Sequence, residues 1–182
     1  MRHLVTVLVA TCLAAAATIG IGAQGQPAAQ TPAERPMGID AATAKRMLAA
    51  AEAQAVAQKA HGAIAIVDAL NGDLVAFLRM DGATQVAVVS AEGKARASLL
   101  FGVSTKVVSD SIKAGKPVPL LITTPAVAGG IWGRMVNVST NEGGMLIRKD
   151  GKTIGAIGVG GAGGGELDER VALAGLNAMA SR

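Results

Sequence analysis

The sequence has no tyrosine, a single cysteine, a single tryptophan and two histidines among its 182 residues. Cys12 and His3 both lie within the first 12 residues, so a chain that loses this stretch keeps one imidazole, His61, and no thiol. These absences exclude a cysteine nucleophile, a Cys/His zinc site, an iron–sulfur cluster and any Ser-His-Asp triad that does not use His61. They also exclude iron ligation by a tyrosinate.

The first 23 residues are typical of a secretory signal peptide. Arg2 and His3 precede the apolar run LVTVLVATCLAAAATIGIGA, which ends in the small residues Gly22 and Ala23 that suit a signal peptidase. A retained membrane anchor is the alternative, because the run approaches the ~20 apolar residues that span a bilayer. We predict a signal peptide over residues 1–23, a periplasmic or secreted product, and no stable membrane anchor after cleavage.

The rest of the chain divides into a tether and one domain. Residues 24–37 are polar and contain prolines, so we predict a disordered tether. Residues 38–182 have the length of a single domain with a proper hydrophobic core. The net charge of +4 comes from scattered basic residues with almost no aromatic residues beside them, so we expect no nucleic-acid partner.

The domain begins with a predicted helix and hairpin. Asp40 is a candidate N-cap, and the helix is predicted to end at His61, with Gly62 as the residue beyond it. The segments AIAIVDA and DLVAFLRMD are predicted strands. The turn dipeptide Asn71-Gly72 predicts a two-residue connection, which makes the two strands antiparallel.

Two helices and a long loop follow. Apolar residues at helical spacing predict a helix over 84–101. A shorter helix is predicted to begin at Ser104-Thr105 and to run to Ile112. The stretch KAGKPVPLLITTPAVAGG contains three prolines and predicts a long loop, which in a compact domain is more often functional than idle. Trp132 lies just beyond it and could cover a pocket or a subunit contact.

The last part of the sequence predicts a hairpin, a glycine-rich turn and a helix. Asp150-Gly151 is a two-residue hairpin signal, and small residues in the return strand leave room for another element to pack closely. GGAGGG at 160–165 then leads to Glu166 and Asp168, which complement the positive end of a helix dipole. Together these elements predict an α+β fold with a mainly antiparallel sheet.

The glycine-rich turn has two interpretations. GVGGAGG at 158–164 has the spacing of a dinucleotide-binding fingerprint, but we find no following strand with an acidic residue about twenty positions on. Backbone N–H groups at Gly160 and Gly161 could still form a nest for an anion. Because the nearby acidic residues would repel an anion, we favour a structural turn.

Other side chains could hold a ligand. His61 is the one candidate for both a strong metal ligand and a near-neutral acid or base, although a cap at the helix C-terminus explains it equally well. Met80 and Met135 are possible weak iron ligands. Arg79, Lys94 and Arg96 could pair with a carboxylate-bearing ligand. A solvated helix face is the alternative for the last two.

The sequence also resembles a known family. The segment IGAIGVGGAGGGELDERVALAGL, together with 63–83 and SAEGKARASLLFG at 90–102, is similar to the GlcG/HbpS family, the haem-degrading domain that also occurs as the C-terminal domain of PduO-type proteins. The resemblance covers roughly residues 38–180. It implies a profilin-like α-β-α sandwich that assembles into homo-oligomers. In the family pattern, a Gly-Gly pair is followed closely by a proline. Glu142-Gly143-Gly144 departs from this pattern, because Met145 and Leu146 follow instead.

The resemblance implies a haem or tetrapyrrole ligand, with any haem degradation dependent on the bound iron. The iron ligand would be His61, a methionine, or a hydroxyl such as Thr123 or Thr124, and Arg79, Lys94 and Arg96 would face haem propionates. The alternative function is an oligomeric module that binds a small metabolite or a partner protein without catalysis. An enzyme with its own catalytic side chains ranks third, because the mature chain has no recognisable nucleophile–base pair.

Overall fold

A computed structural model describes residues 38–117 and 138–180, which form four helices and four strands. In chain order these are α1 (Ala41–Ala57), β1 (Ala63–Asp68), β2 (Leu74–Arg79), α2 (Gln85–Phe101), α3 (Thr105–Lys113), β3 (Gly144–Lys149), β4 (Lys152–Gly160) and α4 (Gly165–Ala180). The helices predicted over 84–101 and from Ser104-Thr105 to Ile112 are confirmed, with Thr84 and Ser104 as N-caps. The predicted signal peptide and tether lie outside the described residues. So do Thr123, Thr124, Trp132 and Met135.

The four strands form one sheet in the order β2-β1-β4-β3. Each adjacent pair of strands is antiparallel. The α+β fold with a mainly antiparallel sheet is therefore confirmed. Within residues 38–117 and 138–180, no helix is both long and apolar enough to cross a bilayer.

Helices cover both faces of the sheet. Ile64 and Ile66 of β1 belong to the same buried core as Met47 of α1. Ala65, which points to the other face, packs in a cluster with Ala91 of α2. Because alternate residues of a strand point to opposite faces, β1 is buried on both sides, and the domain is an α-β-α sandwich.

The small residues of β4 allow α2 to lie directly on the sheet. A Cβ atom at Gly158 would clash with the backbone of α2 at Ala91 and would lie 2.5 Å from the amide nitrogen of Ala95. A Cβ atom at Gly160 would lie 2.5 Å from the carbonyl oxygen of Ala87. The predicted close approach is confirmed, and the element that approaches is α2.

The two hairpins differ in how well the sequence predicts them. Asp150 and Gly151 alone join β3 to β4, with φ values of 50° and 75°, which is a two-residue turn of the primed type. The predicted two-residue turn at Asn71-Gly72 is wrong, because five residues separate β1 from β2. The side chain of Asp68 accepts a hydrogen bond from the Leu70 N–H at 2.5 Å, and this local contact ends β1 early and widens the loop.

The end of α1 also differs from its prediction. The helix ends at Ala57, Gln58 is its C-cap, and Lys59 has a positive φ of 56°. The backbone therefore leaves the helix before it reaches His61. His61 is not the last helical residue, and the interpretation of its side chain as a helix cap is wrong.

The beginning of α1 agrees with its prediction. Asp40 accepts the Thr43 N–H at 2.7 Å and the Thr43 hydroxyl at 2.8 Å. The hydrogen bonds from Thr43 lower the pKa of the Asp40 carboxyl below its usual 3.8. The charged form of Asp40 is thus the form that caps the helix.

Asp40→Ala is expected to lower the free energy of unfolding by about 1 kcal/mol at neutral pH, because the cap is lost. The folded-state pKa of Asp40 lies below its unfolded value. Its contribution is therefore complete above the unfolded pKa and is lost as the pH falls through the folded pKa. Urea unfolding at several pH values should show the two proteins converging in acid. Lys45→Ala, at an exposed site on the same helix, serves as the control, and a difference that persists in acid would contradict this account.

Candidate functional site

His61 lies in an open cleft between the end of α1 and the end of β2. The cleft has a volume of about 380 Å³. Its lining residues are Glu52, Val56, Lys59, Ala60, His61, Leu78, Arg79, Met80 and Asp81. We call it the His61 cleft. Three residues that the sequence predicts as ligand contacts, His61, Arg79 and Met80, therefore come together here.

The imidazole of His61 is held by one backbone contact. Its Nδ1 lies 2.9 Å from the carbonyl oxygen of Asp81. Because a carbonyl oxygen can only accept a hydrogen bond, Nδ1 carries the proton in this contact. The lone pair of the neutral ring is then on Nε2, which is the arrangement found in most histidines that bind a metal.

The turn after β2 brings that carbonyl to the imidazole. Gly82 has a φ of 80°, and a Cβ atom at Gly82 would lie 3.6 Å from the His61 ring. The Met80 N–H donates to the Gly62 carbonyl at 3.0 Å, which ties the turn to the segment after α1. The position of His61 is thus set by residues about 20 positions away in the sequence.

The walls of the His61 cleft combine apolar and cationic side chains. Val56 is 61% exposed, and Leu78 and Met80 add half-buried apolar surface. Arg79 uses Nη2 to donate to the Ala83 carbonyl at 2.7 Å. Since a guanidinium has five N–H donors, Arg79 keeps others for a ligand, and Lys59 provides a second cation.

A second cavity lies where α2 and α3 meet the glycine-rich turn and the start of α4. Its volume is about 400 Å³. Its lining residues are Ser90, Lys94, Ser109, Lys113, Asn141, Glu142, Gly161, Gly164, Gly165 and Asp168. We call it the glycine-loop pocket.

The glycine-loop pocket contains a buried ion pair. Nζ of Lys94 lies 2.5 Å from Oδ2 of Asp168, and the two side chains are 3% and 5% exposed. Oδ1 of Asp168 accepts the Ala162 N–H at 2.7 Å. Asp168 therefore holds the glycine-rich turn in place while it neutralises Lys94, which supports the structural interpretation of that turn.

The rim of this pocket is also charged. Lys113 donates to Glu142 at 3.1 Å across the opening. Close by, burial raises the pKa of the Glu169 carboxyl. Repulsion from Glu142, Asp110 and Glu166 adds to this effect, and the charge of Lys106 opposes it. The surroundings of the pocket are thus rich in carboxylates.

The remaining predicted site residues are dispersed. Lys94 and Gly161 line the glycine-loop pocket, whereas Gly160 packs beneath α2. Arg96 lies in neither cavity: it pairs with Glu92 at 2.8 Å, and its Nε lies 3.3 Å from the Gly72 carbonyl. Both Lys94 and Arg96 are buried, so their interpretation as a solvated helix face is wrong. Thr123 and Thr124 lie outside the described residues.

Sequence reasoning missed two functional features. Asp168 was assigned to the helix dipole, although its side chain forms the floor of a pocket. One signal was available: Lys94 stands between Ala91 and Ala95 on the apolar stripe of α2, and a buried lysine needs an acidic partner. The second missed feature is the backbone carbonyl of Asp81, which orients His61. No sequence signal predicts that contact.

A metal site made only of protein side chains is not found in the described parts of the chain. Within residues 38–117 and 138–180, no three His, Cys, Asp or Glu side chains are grouped so that they could hold an ion. A single exposed imidazole suits a different situation, in which a cofactor supplies most of the ligands of its own metal.

Known structures resemble this fold closely. A double mutant of HbpS from Streptomyces reticuli is 25% identical, with a TM-score of 0.66, over 85% of this chain and 97% of that one. A crystal structure of HbpS is 26% identical, with a TM-score of 0.64, over 82% of this chain and 96% of that one. The crystal structure of a PduOC:haem complex is 25% identical, with a TM-score of 0.63, over 78% of this chain and 95% of that one.

A sequence comparison with curated proteins found no match. A comparison with protein-family models agrees with the structural similarity. A family model described as haem degrading protein HbpS-like matches residues 39–177, which is nearly the whole of the predicted domain. The match includes both hairpins, α2 and the glycine-rich turn. This chain therefore belongs to the HbpS-like family of haem-degrading proteins.

Proposed function

We propose that this protein is an exported haem-binding protein and that haem binds in the His61 cleft with Nε2 of His61 as an iron ligand. The observation that carries the proposal is the contact between His61 Nδ1 and the Asp81 carbonyl. It fixes the ring and leaves the ligating nitrogen free. The family and the similarity to a PduOC:haem complex support the same ligand.

The residues of the His61 cleft fit the chemistry of haem. The macrocycle is planar and apolar, and Val56, Leu78 and Met80 offer it an apolar wall. Its two propionates are anionic, and Arg79 and Lys59 are cations at the same cleft. An open cleft of about 380 Å³ would hold one edge of the macrocycle and leave the rest to solvent or to another subunit.

Bound haem would supply the iron chemistry for breakdown of its own macrocycle, while the protein holds and orients it. The roles of this chain's residues are then separate and simple. His61 would donate a lone pair to the iron, the Asp81 carbonyl would keep the ring in its tautomer, and Arg79 would pair with a propionate. We propose haem degradation as an activity of the complex rather than of protein side chains, to be tested by loss of haem absorbance in aerobic reductant.

Export and self-association complete the proposal. The apolar run at 4–23 supports export, and fractionation of the native host with an antibody would test it. Exposed valines at Val86 and Val89 on α2, and Val107 on α3, support a homo-oligomer that covers them. Light scattering on the protein expressed from Gln24 onward measures the assembly, and a monomeric mass would rule it out.

The haem proposal is tested by titration of the protein expressed from Gln24 onward, followed by absorbance. We expect saturable binding with a Soret shift. His61→Ala should weaken binding at least tenfold, since a coordinate bond is lost and about 1.4 kcal/mol corresponds to each factor of ten.

Lys106→Ala is a suitable control, because Lys106 lies on α3 in an exposed pair with Asp110, outside the His61 cleft. It should bind haem as the unchanged protein does. Binding that survives His61→Ala would overturn the assignment of His61. Absence of binding by the unchanged protein would overturn the haem function itself and favour the metabolite- or partner-binding alternative.

A further inference from the structure

The glycine-loop pocket is chemically unlike the His61 cleft. Each described residue that lines it is polar, charged or glycine. A volume of about 400 Å³ lies within the range of small-molecule sites, but lining residues that, among those described, include no aliphatic or aromatic side chain do not suit an apolar macrocycle. The pocket therefore needs an explanation other than haem.

The Lys94 ammonium group has spare hydrogen-bonding capacity inside this pocket. An ammonium group has three N–H donors. Within residues 38–117 and 138–180, Asp168 is the only side chain or backbone group that accepts from Lys94. Because Lys94 is 3% exposed, bulk water satisfies little of the remainder. An oxygen atom that enters the pocket would accept a hydrogen bond from a buried, positively charged donor, and such bonds are among the stronger hydrogen bonds in proteins.

The charges of the pocket indicate which chemical group of a ligand this oxygen atom belongs to. Lys94 and Lys113 contribute two positive charges, and Asp168 and Glu142 contribute two negative charges, so the described lining residues have no net charge. An anionic ligand would be attracted by Lys94 but repelled by the carboxylates of Asp168 and Glu142. A hydroxyl group avoids this conflict, because it accepts from an ammonium and donates to a carboxylate at the same time.

The other lining residues extend the same pattern. Ser90 and Ser109 provide hydroxyls, and Asn141 provides an amide, so the walls offer both donors and acceptors. The turn at Gly161 and Gly164 adds backbone groups without side chains that would fill the space. A chain of adjacent hydroxyl groups matches walls that offer both donors and acceptors.

We propose that the glycine-loop pocket is a second binding site, for a small neutral polyhydroxylated molecule such as a linear polyol or a monosaccharide, with Lys94 as its central donor. The proposal does not depend on haem binding in the His61 cleft. The two sites can therefore be tested separately on one protein.

The test is an NMR titration of the ¹⁵N-labelled protein expressed from Gln24 onward with xylitol and with ribose. We expect saturable shifts of the amide signals of Gly161, Gly164 and Gly165. Sodium glycerate, an anion of similar chemistry, and 1-butanol, which has one hydroxyl, should produce weaker shifts. Shifts that do not saturate with either polyol, or that 1-butanol reproduces equally, would show that the pocket holds solvent only and would overturn the proposal.

Variants identify the residues involved. Lys94→Met could unfold the protein, so the decisive variant is Ser90→Ala/Ser109→Ala, which keeps the ion pair. Loss of about one hydrogen bond per hydroxyl should weaken polyol binding about fivefold for each serine. The His61→Ala variant should bind the polyol with the affinity of the unchanged protein, whether or not it still binds haem. Polyol binding that is unaffected by the serine variant would place the ligand elsewhere and overturn the assignment.

Discussion

Lys94→Met is expected to lower the free energy of unfolding by about 3–5 kcal/mol, the usual cost of leaving one member of a buried ion pair without its partner. Asp168 would keep its contact with the Ala162 N–H but would lose the charge 2.5 Å away, and its side chain is only 5% exposed. Urea unfolding followed by circular dichroism at neutral pH measures the change.

Two further variants make this result specific to the ion pair. Lys94→Met/Asp168→Asn should be more stable than Lys94→Met alone, because the amide removes the unpaired charge and its oxygen can still accept from Ala162. Lys106→Met breaks the exposed Lys106–Asp110 pair and should change stability little. A loss below 1 kcal/mol for Lys94→Met, or no recovery in the double variant, would contradict this account of the pocket floor.

Gly158→Ala is expected to lower the free energy of unfolding by about 3 kcal/mol, at the upper end of overpacking effects. The new methyl group would meet backbone atoms of α2 at Ala91 and Ala95. Backbone atoms cannot turn away as a side chain can, so α2 must move as a whole. Thermal and urea unfolding would both record the loss.

Gly115→Ala separates steric overlap from the cost of backbone conformation. Gly115 has a φ of 63°, and a Cβ atom there would have no neighbour within 4 Å. An alanine at this position should therefore cost only about 1 kcal/mol, the usual penalty for a left-handed conformation. Equal losses for the two variants would show that close packing of α2 on β4 is not what makes glycine necessary at 158.

The two cavities divide the chemistry of the domain. The His61 cleft offers one free imidazole nitrogen, apolar walls and two cations, which suits a flat amphipathic cofactor. The glycine-loop pocket offers both donors and acceptors around a lysine that is paired with a carboxylate. Because the described residues that line them are all different, a variant in one cavity should leave ligand binding in the other unchanged unless the fold is lost.

Much of the fold follows from short-range patterns in the sequence. Asp40 and Ser104 cap their helices as predicted, because an N-cap needs only a hydrogen bond to a residue three positions away. Asp150-Gly151 makes its turn because both residues tolerate a positive φ. The glycines of β4 indicated a close neighbour, although not which one. These features depend on local energies, so the sequence shows them directly.

The site could be predicted less completely. Residue chemistry singled out His61, Arg79 and Met80, and the fold does bring them into one cleft. The same reasoning treated Lys94 and Arg96 as possible solvated residues, since helical spacing cannot reveal that the sheet covers that part of α2. The pairing of Lys94 with Asp168 joins residues 74 positions apart, and these charges meet only because α2 and α4 both pack against β4.

His61 shows where local and tertiary effects separate. Its chemistry, as the one imidazole beyond the N-terminal stretch, can be read from composition. Its geometry cannot, because Lys59 adopts a positive φ that ends α1 early, and the Asp81 carbonyl that orients the ring comes from the far side of a hairpin. Which elements form is thus a matter of neighbouring residues along the chain. Which side chains share a cavity depends on contacts that exist only after the sheet and helices have packed.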